Sequence, residues 1–356
     1  MKAWQLLRLG GAFDLTDLPI PAARPGSVVV RMATSSLMSY MKDYVGGKLP
    51  IYHAPDGPFV PGGNGVGVVH AVGRDVWHLK PGQRVVISSH FVAQENVQNP
   101  AQILIGVTAA GADAQRVQAD WRDGTLAEYA LLPATAVTPL DDHMTLSAEA
   151  LSLSARFVVP LGGLLKGRLV AGETVVVSGA TGAYGTAAAL LAVAMGAAQV
   201  IAIGRNGGAL EALANAGRGR ITPVTVTGDT RDDTKSIQVA AQSGIDLVFD
   251  MVGSARDPNM TLSALRSLVP GGRLVLMGSM TVPLPIPYTE VMMNSWEILG
   301  QFMYPRDAYR RLLSFVSAGM LDMTAIRPLT FPLRSLPEAI ERATTASNME
   351  CVVINH

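Results

Sequence analysis

The chain has 356 residues, more than one hydrophobic core usually organises, so two domains are expected. It is 49% apolar and 16% charged, and its 28 basic side chains balance 28 acidic ones, which argues against a nucleic-acid partner. The single cysteine, Cys351, excludes a disulfide within the chain, a Cys-rich zinc knuckle and an iron–sulfur cluster.

The opening residues, Met1-Lys2-Ala3-Trp4-Gln5, lack the apolar stretch and cleavage site of a secretory signal. No apolar run is expected to reach the roughly 18–20 residues that cross a bilayer. The stretch 151–165 comes closest, interrupted by Arg156, Pro160 and two glycines. Sparing cysteine use fits a reducing compartment, and the cytoplasm is the expected location, with no membrane partner.

The first third reads as β-rich. Short apolar or alternating runs at 27–32, 65–72, 84–88 and 126–132 are separated by Gly and Pro punctuation. Between 94 and 124 the sequence is polar and Ala-rich without a period, and a long loop with a short helix is expected. From about Gly172 the texture changes. Strands are expected at 174–178, 199–203, 223–226, 246–250 and 273–277, alternating with helices at 183–195, 208–216, 230–242 and 259–268. Apolar strands alternating with helices imply a parallel sheet covered on both faces, an α/β class. Helices at 306–318 and 336–345 and a strand at 350–354 close the chain.

The run Thr174 to Ser178 leads into Gly179-Ala180-Thr181-Gly182-Ala183-Tyr184-Gly185, a G-x-x-G-x-x-G turn that opens a helix. One glycine permits the sharp turn, one admits the pyrophosphate to the backbone, and one lets helix and strand approach. The helix N-terminus then offers N–H groups and partial positive charge to the anion. A lone glycine pattern is weak, but strand, turn and helix in sequence are the context that marks a dinucleotide site. The next strand ends in Gly204-Arg205-Asn206. NAD binders usually place Asp or Glu there. Glycine removes that carboxylate and Arg205 supplies a fork of donors for a 2′-phosphate, so NADPH is the expected cofactor.

With these residues in view, the chain resembles the medium-chain dehydrogenase/reductase superfamily, in its zinc-independent, quinone-oxidoreductase-like branch. The matching segments are Pro61-Gly62-Gly63-Asn64-Gly65, Lys80-Pro81-Gly82-Gln83-Arg84-Val85, Gly124-Thr125-Leu126-Ala127-Glu128-Tyr129, and residues 246–250 followed by Gly253. The resemblance implies a GroES-like β-rich catalytic domain, 1–153 with 303–356, and a doubly wound Rossmann domain, 154–302. It adds cofactor contacts at Asp250, Met251, Val252 and Gly253, at Gly278, Ser279 and Met280, and at Gln301, Phe302 and Met303. A pyrophosphate-contacting arginine of zinc-dependent relatives falls at Glu350, and Asn348 is the expected substitute.

Departures from the family pattern concern the metal. Catalytic zinc in the alcohol-dehydrogenase branch needs ligands at positions that fall here on Leu37, Gly63, Asn64 and a residue near Ala155, and none is a standard zinc ligand. No metal is expected. Without a Lewis acid, a hydrogen-bond donor should polarise the acceptor oxygen. The resemblance places Ser39 and Lys42 where relatives carry a proton relay, with Tyr40 between them and Asn64 in place of an acid. Tyr52 and His53 are outside candidates. Methionines 251, 277, 280, 292, 293 and 303 are candidates for an adaptable apolar pocket.

The expected activity is NADPH-dependent hydride transfer to an activated C=C, a quinone or a carbonyl of a small apolar substrate. Alternatives are a zinc-free alcohol or carbonyl dehydrogenase, or a non-catalytic NADPH-binding protein. The apolar segment 281–301 suits a homodimer edge.

Overall fold

A computed structural model describes residues 1–94 and 96–356. They form two compact units: 1–155 with 326–346 and 350–356, and 156–325 with 347–349. The segment 303–325 is thus grouped with the second unit, where the resemblance assigns it to the β-rich domain.

The first unit is built on a seven-stranded sheet in the order Val137–Pro139, Arg84–Ile87, Gly65–Val72, Ser27–Ser36, Glu350–Asn355 and Arg327–Pro332, with Tyr129–Pro133 also pairing along Ser27–Ser36. The last strand of the chain inserts antiparallel beside an early one, with Val353 opposite Ser36 and Asn355 opposite Thr34. Alternation of apolar side chains makes this possible. Val28 and Val30 bury into one apolar cluster with Val85 and Ile87, while Val352 and Ile354 enter another with Trp4, Leu37 and Phe59.

The stretch 94–124 holds more structure than expected. Helix Ala112–Asp120 is present, and a three-stranded sheet of His90–Val92, Gln102–Leu104 and Thr108–Ala109 accompanies it. Strands of two or three residues are too short to display a period. Glu95 lies outside the described residues.

The second unit carries six parallel strands: β1 (Thr174–Ser178), β2 (Gln199–Gly204), β3 (Ile221–Thr225), β4 (Ile245–Asp250), β5 (Leu268–Leu276) and β6 (Glu297–Gly300). Their order is β3-β2-β1-β4-β5-β6. The direction of winding reverses between β1 and β4, and doubly wound sheets bind ligands in the crevice beyond the strand C-termini at such a point. Pro223 sits in β3, an edge strand, where its missing N–H costs little.

The helices are α1 (Ser154–Lys166), α2 (Ala183–Ala194), α3 (Gly207–Ala216), α4 (Thr230–Ala240), α5 (Asn259–Arg266), α6 (Tyr288–Asn294) and α7 (Ala308–Ser317). In α2, Ala187, Ala188, Ala189 and Ala192 are fully buried, so small side chains let the helix lie close on the sheet.

One sequence expectation is corrected here. Helical residues Ala148–Lys166 form a stretch long and apolar enough to cross a membrane by length and composition. Most of it is buried inside the protein, so its apolar character serves packing.

Candidate functional site

The turn after β1 is shaped by two glycines. Gly179 has φ of +69°, the left-handed region that favours glycine, and a Cβ there would meet the Met251 carbonyl at 2.9 Å. At Gly185 a Cβ would stand 2.1 Å from the Gly179 oxygen. Gly182 differs. It caps α2 with ordinary backbone angles, has no side-chain cap bond, and its nearest neighbour for a Cβ is the Gly179 oxygen at 3.3 Å. The fold itself demands the outer glycines, whereas the middle one leaves bare backbone over a helix N-terminus. That is what an approaching phosphate needs.

Beneath the turn lies Asp250, the last residue of β4 and 2% exposed. Its carboxylate accepts from the hydroxyls of Ser178 and, at 2.9 Å, Thr261. Its carbonyl accepts from Met277 N at 3.1 Å and Gly278 N at 3.0 Å. Burial pushes the carboxyl pKa up to about 6, against the opposing pull of the Ser178, Thr261 and Val252 donors. Asp250 ties the ends of β1, β4 and β5 together. Ser178, Ala180 and Asp250 were all expected as cofactor contacts; their side chains are buried, and none of the three lines the cleft.

An open cleft is lined by Gly179, Thr181 and Gly182, by Arg205, and by the loop 251–257. A Cβ on Gly204 would meet Thr181 Cγ2 at 2.8 Å and Oγ1 at 3.2 Å, so Thr181 occupies the direction an acidic side chain would take. Asn206, next to Arg205, caps α3, its Oδ1 accepting from Ala209 N at 3.1 Å.

Arg205 and Arg256 both line the cleft, and neither makes a hydrogen bond or ion pair among the described residues. The acidic neighbour Asp233 is already engaged, accepting from Thr227 N at 2.7 Å, Thr227 Oγ1 at 3.0 Å and Gly228 N at 2.9 Å. The cleft therefore presents two unneutralised guanidinium groups. Arg256 was not anticipated, because its local sequence reads only as a loop.

Met251, Val252 and Gly253 line the cleft. Gly278 is required because a Cβ would meet the Val252 oxygen at 2.2 Å, and Gly253 lies beside Ser279. Gln301 pairs with the end of β5 through its N–H to Leu276 O, and its side chain donates to the carbonyls of Phe302 and Met303 at 3.0 and 3.3 Å. Met280 is half-buried next to Ser279. Asn348 was an expected cofactor contact. It is 9% exposed, and its Nδ2 donates to Thr186 Oγ1 at 3.1 Å and Ala209 O at 3.2 Å, so it fastens α2 to α3. Glu350 pairs with Arg327 and Arg342. Met292 and Met293 are exposed on α6, away from a pocket-lining role.

In the first unit the donor candidates separate. Lys42 is on the surface and bridges to Glu341 at 2.7 Å. Ser39 is exposed. Tyr40 caps a short helix (Met41–Val45), and its ring packs 5.8 Å from Tyr52. His53 is held by its backbone, which pairs with Thr108 Oγ1, Ala109 N and Gln118 Nε2. Asn64 accepts from Ser89 Oγ at 2.9 Å, and Ser89 is 5% exposed.

The same residues decide whether zinc fits. Leu37 is 2% exposed within an apolar cluster, and its N–H bonds Val352 O. A Cβ on Gly63 would meet Ser89 Cβ at 2.7 Å, so Ser89 fills the space a ligand side chain would need. Asn64 is an amide and Ala155 a methyl. This donor set does not fit a zinc ion, and no group of three or more His, Cys, Asp or Glu side chains is placed for a metal among the described residues.

Comparison with known proteins agrees with this architecture. Residues 24–142 match the family described as alcohol dehydrogenase GroES-like domain, and residues 183–318 match the family described as zinc-binding dehydrogenase. The chain is 27% identical over 356 residues to an alcohol dehydrogenase of Moraxella sp. (strain TAE123), covering 100% of this chain and 99% of the relative. Among solved structures, a thermostable alcohol dehydrogenase from Pyrobaculum aerophilum superimposes with a TM-score of 0.78 at 20% identity, covering 100% of this chain and 99% of its own. A putative zinc-binding dehydrogenase from Sinorhizobium meliloti 1021, solved bound to NADP, has the same TM-score of 0.78 at 21% identity, with 100% and 99% coverage.

Proposed function

We propose, from the premise that this chain is a member of the medium-chain dehydrogenase/reductase superfamily, that it is an NADPH-dependent, zinc-independent reductase of small substrates. The observation that carries the cofactor choice is the pair Gly204 and Arg205: no carboxylate at the end of β2, and an unpaired guanidinium on the cleft wall beside it. Arg256 adds a second cation, and the N-terminus of α3 adds partial positive charge. One guanidinium–phosphate contact is worth on the order of 4 kcal/mol at an effective dielectric near 20, before desolvation is subtracted. The NADP bound by the Sinorhizobium meliloti neighbour supports the same reading.

When bound, the dinucleotide supplies a hydride. The protein holds it, excludes water, and offers a donor to the oxygen on which negative charge develops. Among Ser39, Tyr40, Lys42 and Asn64, the last is favoured, because Ser89 fixes the orientation of its amide. Lys42 is held by Glu341. The acceptor is an activated C=C, a quinone or a carbonyl, and the proton ends on the reduced oxygen or on the carbon next to the carbonyl. The relative named alcohol dehydrogenase favours the carbonyl version, a zinc-free alcohol or carbonyl dehydrogenase. Turnover of a simple enone with NADPH separates the two: saturated ketone marks C=C reduction, and allylic alcohol marks carbonyl reduction. Stoichiometric NADPH binding with no oxidation across quinones, enals and ketones would instead mark a non-catalytic binding protein.

The proposal includes a cytoplasmic homodimer without nucleic-acid or membrane partners. β6 is an edge strand, and Tyr288 and Met293 beside it are 79% and 74% exposed, which supports edge-to-edge pairing. A monomeric mass by light scattering at micromolar concentration counts against the dimer.

A further inference from the structure

We propose that Arg156 anchors an anionic group of the substrate, a carboxylate, at the end of α1 that lies toward the C-terminal ends of the parallel strands; this rests on the reductase reading above and adds one charge to an otherwise apolar substrate. Arg156 is 7% exposed, its Nη1 is buried without a hydrogen-bond partner, and its side chain makes no hydrogen bond or ion pair among the described residues. Arg205 and Arg256 are also unpaired, but they are exposed and solvated. A buried guanidinium nitrogen with no acceptor is costly to a fold, and it points to an anion that arrives from outside.

The position of Arg156 follows from α1. A Cβ on Gly167, just past the helix, would meet Leu247 and Val275 at 2.8 and 2.9 Å, within β4 and β5. A Cβ on Gly163, one turn earlier, would meet Phe249 at 2.2 Å and Met277 at 2.9 Å, at the C-terminal ends of those strands. The helix therefore climbs toward the strand C-termini as it is followed back to its start. Arg156 precedes Gly163 by seven residues, which returns to the same helix face about 10 Å further along. That places its Cα in the first turn of α1, at the end of the helix that lies toward the strand C-termini. The planar guanidinium fork matches a carboxylate with two parallel hydrogen bonds.

The test compares oxo-acids of three to six carbons with their methyl esters, using NADPH and the full chain. Wild type should show kcat/KM at least tenfold higher for an acid than for its ester. Arg156→Met should abolish that preference while leaving ester turnover and the NADPH Kd within threefold, and should melt no lower than wild type, because it removes a buried donor that has no acceptor. Arg156→Lys should retain part of the preference. Equal acid-to-ester ratios in wild type and Arg156→Met overturn the proposal, as does a tenfold rise in the NADPH Kd, which would assign the anion to the cofactor. If nothing is turned over, calorimetry with NADPH present decides. Acid binding by wild type and not by Arg156→Met keeps the anchor while the reductase reading fails; absence of acid binding by wild type overturns the anchor.

Discussion

A Cβ added to Gly204 would stand 2.8 Å from Cγ2 of Thr181. The end of β2 and the phosphate turn are thus fitted to each other, and the fit fills the place where an NAD-specific site would set its carboxylate. Gly204→Asp alone has to turn Thr181 aside. Combined with Thr181→Ala the carboxylate gains room, faces the ribose and repels a 2′-phosphate. The double variant is expected to move the NADPH-to-NADH affinity ratio at least tenfold toward NADH, about 1.4 kcal/mol. Fluorescence titration with both dinucleotides measures it, and an unmoved ratio counts against the assignment of this corner.

Asp250 gives a pH-dependent prediction. Its folded-state pKa is raised by burial from 3.8 to about 6. Between those values the folded protein holds a proton that the unfolded chain has lost. The stability contributed by the neutral carboxyl is therefore present below about pH 4 and is lost as pH rises through about 6. Asp250→Asn keeps an acceptor for Ser178 and Thr261 without the charge. Its stability relative to wild type should climb between pH 4 and 6 and level off above. A difference that stays constant across that range, in denaturant melts at matched ionic strength, contradicts the account.

Gly63 and Ser89 test why the metal positions do not fit zinc. Gly63→Ala places a methyl 2.7 Å from Ser89 Cβ, an overpacking expected to cost about 1–3 kcal/mol. Ser89→Gly removes the obstructing carbon, so the Gly63→Ala/Ser89→Gly double variant should recover most of that loss. Additive destabilisation in thermal melts would mean that the two residues do not compete for the same space.

Asn348 is predicted to be structural. Asn348→Ala leaves Thr186 and Ala209 without its donor and should cost about 1–3 kcal/mol of stability, while the NADPH Kd stays within threefold. A large affinity loss with unchanged stability would restore the cofactor contact that the family pattern implies.

How much of this was legible depended on how local each feature is. The strand, turn and helix from Thr174 to Ala194 are contiguous, and β1 begins and ends where its apolar run does. Gly204 and Arg205 were readable for the same reason. The small sheet between His90 and Ala109 was not, because its strands of two or three residues are too short for alternation to repeat. Pairings across long separations were also hidden: Lys42 with Glu341, and Asn348 with Thr186. Those depend on how the chain closes, and they give partners within the protein to two side chains expected to be functional. Arg256 reaches the cleft because β1 and β4 are neighbours in the sheet, a fact of topology rather than of its own loop. Arg156 stood out in the sequence only as a charge interrupting an apolar run. Its burial without a partner is visible only in the folded protein.

The central claim is that the cleft above β1 and β2 selects NADPH through Arg205. The direct measurement is the ratio of NADPH to NADH dissociation constants in wild type and in Arg205→Ala. The account predicts that wild type binds NADPH at least tenfold more tightly and that Arg205→Ala weakens NADPH by tenfold or more, with NADH changed less than threefold. Equal loss of both cofactors, or an unchanged ratio, would contradict it.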